Sequence, residues 1–206
     1  MQSNYNILFL PGVGSFDQLI QGLEEKQIFK YLKNLPDDKT LIGICVGMQI
    51  LLSDSEEGDS QGLNLINGSV KKIKVNHNLR LPHIGWNNVS FHNKFLDYEK
   101  TKFYFCHSFY AEVDVKNILG YTDYSHKFAS IIINDKKNII GFQFHPEKSH
   151  KFGLDLFKKL LLNLKTLDEA NKIKNKVNAE TKIILNLEKY NTLFKRNLFF
   201  FFLRIH

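Results

Sequence analysis

The spacing of apolar residues changes rhythm along the chain. Residues 6–10 are a short apolar run stopped by Pro11-Gly12, the mark of a buried strand that ends in a loop. Phe16, Leu19, Ile20, Leu23, Ile28, Tyr31 and Leu32 then recur at helical spacing, which predicts one helix over residues 16–34, broken by Pro36-Asp37-Asp38. A second apolar run, residues 41–44, leads straight into Gly47-Met48-Gln49-Ile50-Leu51-Leu52, a strand, a tight turn and a helix. Residues 54–62 are acidic and contain glycine, so a surface loop is expected there. From about residue 65 short β-type runs take over, at 69–75, 88–91, 102–107, 118–124, 128–133 and 139–144, separated by turn signals such as Asn67-Gly68 and Asn134-Asp135. Residues 153–164 close the pattern as an amphipathic helix, with Phe152, Leu156, Phe157, Leu160 and Leu161 on one side. The order is α/β first, then a β-rich half, then a helix.

Composition narrows the function classes. Of 206 residues, 43% are hydrophobic and 24% charged, which fits a globular domain with a sizeable core. No run approaches the ~18 apolar residues of a membrane helix, and the first residues lack the pattern of a secretory signal. Two cysteines, Cys45 and Cys106, are too few for a disulfide framework or a four-cysteine zinc site, so reduced thiols in a cytoplasm are expected. The net charge of +7 is concentrated in residues 165–206, which carry nine Lys/Arg against four Asp/Glu. The main body is close to neutral, which argues against a nucleic-acid-binding surface. Residues 165–195 are Lys/Asn-rich, and a helix over 168–195 is one reading of them. Residues 198–205 read LFFFFLRI, open to a strand, a helix against a partner, or an aggregation hazard.

Three short segments carry chemistry. Gly43-Ile44-Cys45-Val46-Gly47 places a thiol between two glycines at a strand-to-helix turn, the geometry of a nucleophile elbow. The following helix aims its N-terminus at the thiol and favours the thiolate. A cysteine alone reads as a buried structural residue; the flanking glycines reverse that reading. Gln143-Phe144-His145-Pro146-Glu147-Lys148-Ser149 puts a histidine at a strand end with a carboxylate two residues on. Alone it reads as well as a surface or metal-ligand pair. With the elbow it supplies base and orienting partner, and both motifs fall at strand carboxyl ends, where open α/β sheets place their sites. Pro11-Gly12-Val13-Gly14 is a third such end, and either an ordinary turn or a source of N–H donors for an oxyanion. The remaining histidines lack metal-ligand spacing. Of these, His77, His92, His126, His150 and His206 read as surface or loop residues, and Cys106 as core.

Together these segments resemble the class I (triad) glutamine amidotransferases. With Pro82-His83-Ile84-Gly85-Trp86-Asn87 and Phe103-Tyr104-Phe105-Cys106-His107-Ser108, the chain is similar to the glutaminase-subunit family of imidazole glycerol phosphate synthase, over roughly residues 5–163. The resemblance implies a three-layer, flavodoxin-like α/β fold with a mixed sheet, as a domain over 1–164, and leaves 165–206 an unassigned tail. It implies that Cys45 attacks the carboxamide of glutamine, that His145 is base and acid, and that Glu147 orients His145. Backbone N–H groups of Val13, Gly14 and Val46 would hold the oxyanion. Gly12, Gln49, His107, Ser108 and Phe109 would hold glutamine. Trp86, Asn87 and Lys148 would face a (β/α)8 cyclase subunit that receives the ammonia as heterodimer partner. No cofactor, metal, nucleic acid or membrane is implied.

Two departures from the family stand out, with Phe109 a smaller third. The tail after Leu164 is not accounted for by the family pattern, and members begin with a strand–helix–strand unit ahead of the Pro-Gly-Val-Gly turn, whereas ten residues precede Pro11 here. The sheet is therefore expected to be N-terminally incomplete, with an open edge at the first strand. Phe109 also stands where the family commonly has tyrosine. Three alternatives remain at this point: the same glutaminase serving a sugar-amidating synthetase in surface-glycan synthesis, a truncated inactive chain, and a stand-alone γ-glutamyl hydrolase.

Overall fold

The computed structural model describes residues 7–75, 79–91, 101–136, 138–163 and 201–203. Strand β1 (Ile7–Gly12) leads into helix α1 (Phe16–Glu25). Ser15 caps that helix: its hydroxyl accepts from the N–H of Gln18, and the Gln18 side chain accepts from the N–H of Ser15. The helix buries Phe16, Leu19, Ile20 and Leu23, as its spacing requires.

The single helix expected over 16–34 is two. Gln27 turns left-handed at φ 58°, the N–H of Ile28 bonds Leu23 and that of Gln27 bonds Glu24, closing α1 with a Schellman end. A short α2 (Phe29–Lys33) follows and keeps Leu32 in the core. Because Ile28 and Leu32 stay on the inner side after the break, the periodicity concealed it. Strand β2 (Thr40–Cys45) then runs into α3 (Val46–Gln49), one turn rather than the longer helix expected. The main-chain carbonyls of Ile50, Leu51 and Leu52 are taken by N–H groups of residues 63–66, so the next loop ends the helix.

The β-rich half comprises β3 (Gly68–Lys72), β4 (His83–Asn88), β5 (Ser90–Phe91), β6 (Lys102–His107), β7 (Phe109–Val113), β8 (Ile118–Asp123), β9 (Lys127–Ile133) and β10 (Ile139–Phe142). Helix α4 (His150–Asn163) follows, and β11 (Phe201–Leu203) is the last described element. The main sheet runs β11-β1-β2-β10-β9-β7-β3, with β8 on β9 and β5 on β8; β4 and β6 form a separate antiparallel pair. Strands β1, β2 and β10 are mutually parallel and almost wholly buried, consistent with their continuous apolar runs. Helix α4 sets Phe157 edge-on to Phe9 and Phe142.

Strands β4 and β7 were not expected. Only Ser108 separates β6 from β7, so the chain passes from the two-stranded sheet to the main sheet without a turn signal. Two further expectations are corrected. The edge of β1 is not open: β11 pairs with it antiparallel, from Ile7↔Leu203 to Phe9↔Phe201, so part of the Phe-rich run is a strand. Cys106 is exposed, not core. Phe103, Phe105 and His107 take the inner face of β6, and alternation turns Cys106 outward. The proposed helix over 168–195, together with His77, His92 and His206, lies outside the described residues.

Candidate active site

The site is assembled by strand register. β1 and β2 align Gly12 with Cys45, and β2 and β10 align Ile44 with Phe142. The carboxyl ends of the parallel strands therefore deliver the Gly12-Val13-Gly14 turn, Cys45 and the segment after Phe142 to one edge. Cys45 adopts φ 56° and ψ −114°, a strained conformation for a residue with a side chain. The turn closes because its neighbours lack side chains. A Cβ on Gly47 would land on the carbonyl oxygen of Leu10, and one on Gly43 on that of Gly47. Neither obstacle is a movable side-chain end. We expect Gly47→Ala to lower stability by about 3 kcal/mol, the upper part of the range for overpacking, read from the shift of the denaturation midpoint.

His145 is pinned through its main chain. Its N–H bonds the carbonyl of Tyr104 (2.8 Å), and its own carbonyl accepts from the Ser149 hydroxyl (2.7 Å). That hydroxyl in turn accepts from the N–H of Tyr104 (3.1 Å), which locks the Pro146–Lys148 turn to β6. On the ring, Nδ1 donates to Glu147 Oε1 at 2.7 Å, and the other nitrogen is left for Cys45. Burial alone would push the imidazole down. The bonds to Cys45 and Glu147, with their charges, outweigh it and hold the imidazolium up to about 10. The Cys45 thiol also lies 3.6 Å from the main-chain carbonyl of Cys106, toward which it can donate. The second oxygen of Glu147 is buried without a partner among the described residues.

Beside this trio Gln49 is clamped. Its Nε2 donates to the carbonyl of Phe109 (3.0 Å) and to Gln143 Oε1 (3.3 Å). Both N–H groups are thereby used, which turns the carbonyl end of the amide away from the clamp. Gln143 was absent from the expected set; its place two residues before His145 was the available signal. Val13 is 57% exposed, Gly14 is exposed at φ 107°, and Val46 opens α3. Ser108 and Phe109 are half-buried at the crossover from β6 to β7, where the Ser108 carbonyl accepts from Ile73. The His107 imidazole is buried with both nitrogens engaged, so only its main chain is available to a ligand.

The residues expected to face a partner divide. Trp86, 43% exposed, stacks on His150 at 4.9 Å with nearly parallel rings, and exposed Lys148 sits over the Tyr104 ring. Asn87 faces the other side of β4, where its amide donates to the carbonyl of Asp123 (3.0 Å). Ile84, 59% exposed, shares the face of Trp86 and was not expected. Among the described residues no His/Cys/Asp/Glu group is arranged to hold a metal ion, and no helix is long and apolar enough to cross a membrane.

The profile of the family "Glutamine amidotransferase class-I" matches residues 1–164. The chain belongs to the class-I glutamine amidotransferases. Within that family it is 46% identical over 161 residues to imidazole glycerol phosphate synthase subunit HisH 2 of Methanococcus maripaludis, covering 75% of this chain and 79% of the relative. It is 38% identical over 159 residues to subunit HisH of Thermotoga maritima, covering 76% of each. The crystal structure of another glutamine amidotransferase superposes with a TM-score of 0.58 at 15% identity, over 77% of this amidotransferase and 78% of that chain. That likeness is one of fold, the three-layer α/β arrangement with a mixed sheet.

Proposed function

We propose that this amidotransferase is the glutaminase subunit of an imidazole glycerol phosphate synthase, with residues 1–164 as its working domain. One observation carries the chemistry: a strained Cys45 beside a buried His145, whose Nδ1 is held by Glu147. In this reading the Cys45 thiol passes its proton to His145 and its sulfur attacks the side-chain carboxamide of glutamine. N–H groups of Val46 and the Val13-Gly14 turn receive the oxyanion. His145 gives its proton to the leaving amine, ammonia departs, and a glutamyl thioester remains on Cys45. His145 then takes a proton from water, which attacks the thioester, and glutamate and the thiol are restored. Gln49 and the main chain of 107–109, beside Gly12, hold the substrate. The ammonia passes to a (β/α)8 cyclase subunit docked on the face of Ile84, Trp86 and Lys148. The names of the relatives favour this partner over a sugar-amidating synthetase.

Labelling separates the two free thiols. A glutamine-like electrophile is expected to leave one adduct on Cys45, blocked by glutamine, whereas a small general alkylating agent also marks exposed Cys106. Peptide mapping by mass reads both; no glutamine-protected adduct on Cys45 would overturn the proposal. Glu147→Gln is expected to lower kcat by up to about a hundredfold, the low end of an acid–base contribution. The nucleophile and base remain while the orienting charge is lost. Equal kcat in variant and wild type would remove Glu147 from the site.

A further inference from the structure

A hydrogen-bonded chain runs from Asn87 on β4 through His83 and His107 to the Phe109 carbonyl, and its direction can be read from its ends. The carbonyl of Phe109 only accepts, so His107 Nδ1 donates to it, at 2.8 Å. A neutral His107 then has Nε2 as acceptor, and the group 3.0 Å from it is His83 Nδ1, which must donate. His83 Nε2 is left as acceptor and faces the amide nitrogen of Asn87 at 3.4 Å, a donor. Each link has the polarity the next requires, from Asn87 on β4 to the carbonyl that also holds Gln49. The register pairs His83 directly with His107. His83 is sandwiched between Tyr124 (centroids 4.0 Å) and Phe105 (4.9 Å), and Phe128 closes on His107. Both rings are buried, and this apolar casing keeps them neutral: burial pushes His83 down to about 4 and His107 to about 3.

We infer that His83 and His107 are positioning residues, which hold the Phe109 carbonyl and through it the Gln49 amide in the orientation that binds glutamine. The chain also ties glutamine binding to β4, whose outer face carries Ile84 and Trp86. The inference rests on the glutaminase reading.

The test uses the full chain. His107→Leu removes the donor, and His107→Asn returns an N–H near the place of Nδ1. We expect His107→Leu to raise the KM for glutamine about tenfold, one hydrogen bond in a binding equilibrium, with kcat within about twofold. His107→Asn restores most of the KM. A residue that only filled space would show no such recovery. Unchanged KM in His107→Leu, or no recovery in a folded His107→Asn, overturns the inference. Should the leucine variant fail to fold, imidazole nitrogen NMR of the wild type decides: the chain requires the Nδ1–H tautomer on both rings. An Nε2–H tautomer on either overturns it. Wild-type chain that hydrolyses no glutamine would instead overturn the glutaminase reading, and the NMR result would still report the chain's polarity.

Discussion

Cys45→Ala is expected to abolish glutamine hydrolysis, a fall of roughly four orders of magnitude or more, because the proposed thioester cannot form without the thiol. The fold should tolerate the change. Alanine meets the same φ of 56° that cysteine already bears, and the thiol lost gives up a long contact to the Cys106 carbonyl and its interaction with the His145 ring. Docking of a partner should be unaffected, because the Ile84, Trp86 and Lys148 side chains proposed to meet it are exposed while the thiol is buried. The measurement is glutamate release by the variant beside co-purification with the cyclase subunit. Retained hydrolysis by the alanine variant would end the covalent mechanism.

Stability should fall steeply on the acid side, and two histidines set the slope. His83 and His107 ordinarily titrate near 6.5, but folding lowers them to about 4 and about 3. Above pH 6.5 they are neutral in both folded and unfolded chains. Below it the unfolded chain takes up protons that the folded one refuses, so stability drops as pH falls from 6.5 toward 4. Each such proton contributes about 1.4 kcal/mol per pH unit. His145 works the other way: its raised value, about 10, makes its contribution full below 6.5 and lost as pH rises toward 10. Denaturant midpoints between pH 4.5 and 7 test this, with His83→Phe as the comparison. The variant should lose about half of the acid slope; parallel curves would refute the assignment.

The turns of the candidate site were largely legible because they are local in sequence. Gly43 to Gly47 and His145 to Glu147 each declare a turn, and with it the role proposed for Cys45 and His145, within five residues. What the sequence concealed is relational. Nothing near Gln143 shows that it meets Gln49, and the alternation that turns His107 inward also turns Cys106 outward, which the strand pattern implied and composition obscured. Asn87 and Trp86 adjoin in the chain yet face opposite sides of β4. The break at Gln27 escaped notice because the residues after it resume the same buried face. The pairing of β11 with β1 depends on register between the chain's two ends, which no local pattern carries.

The sheet order also bears on how the molecule acquires its function in time. Gln49 and Gln143 bond across 94 positions of chain, and Cys45 meets His145 over a comparable span through the pairing of β2 with β10. Loop closure of that length is among the slowest contacts a chain makes. The antiparallel hairpin of β8 and β9 is by contrast local. During refolding the β-rich half can therefore gain its strands well before a competent nucleophile exists, and recovery of the circular-dichroism signal should run ahead of recovery of activity.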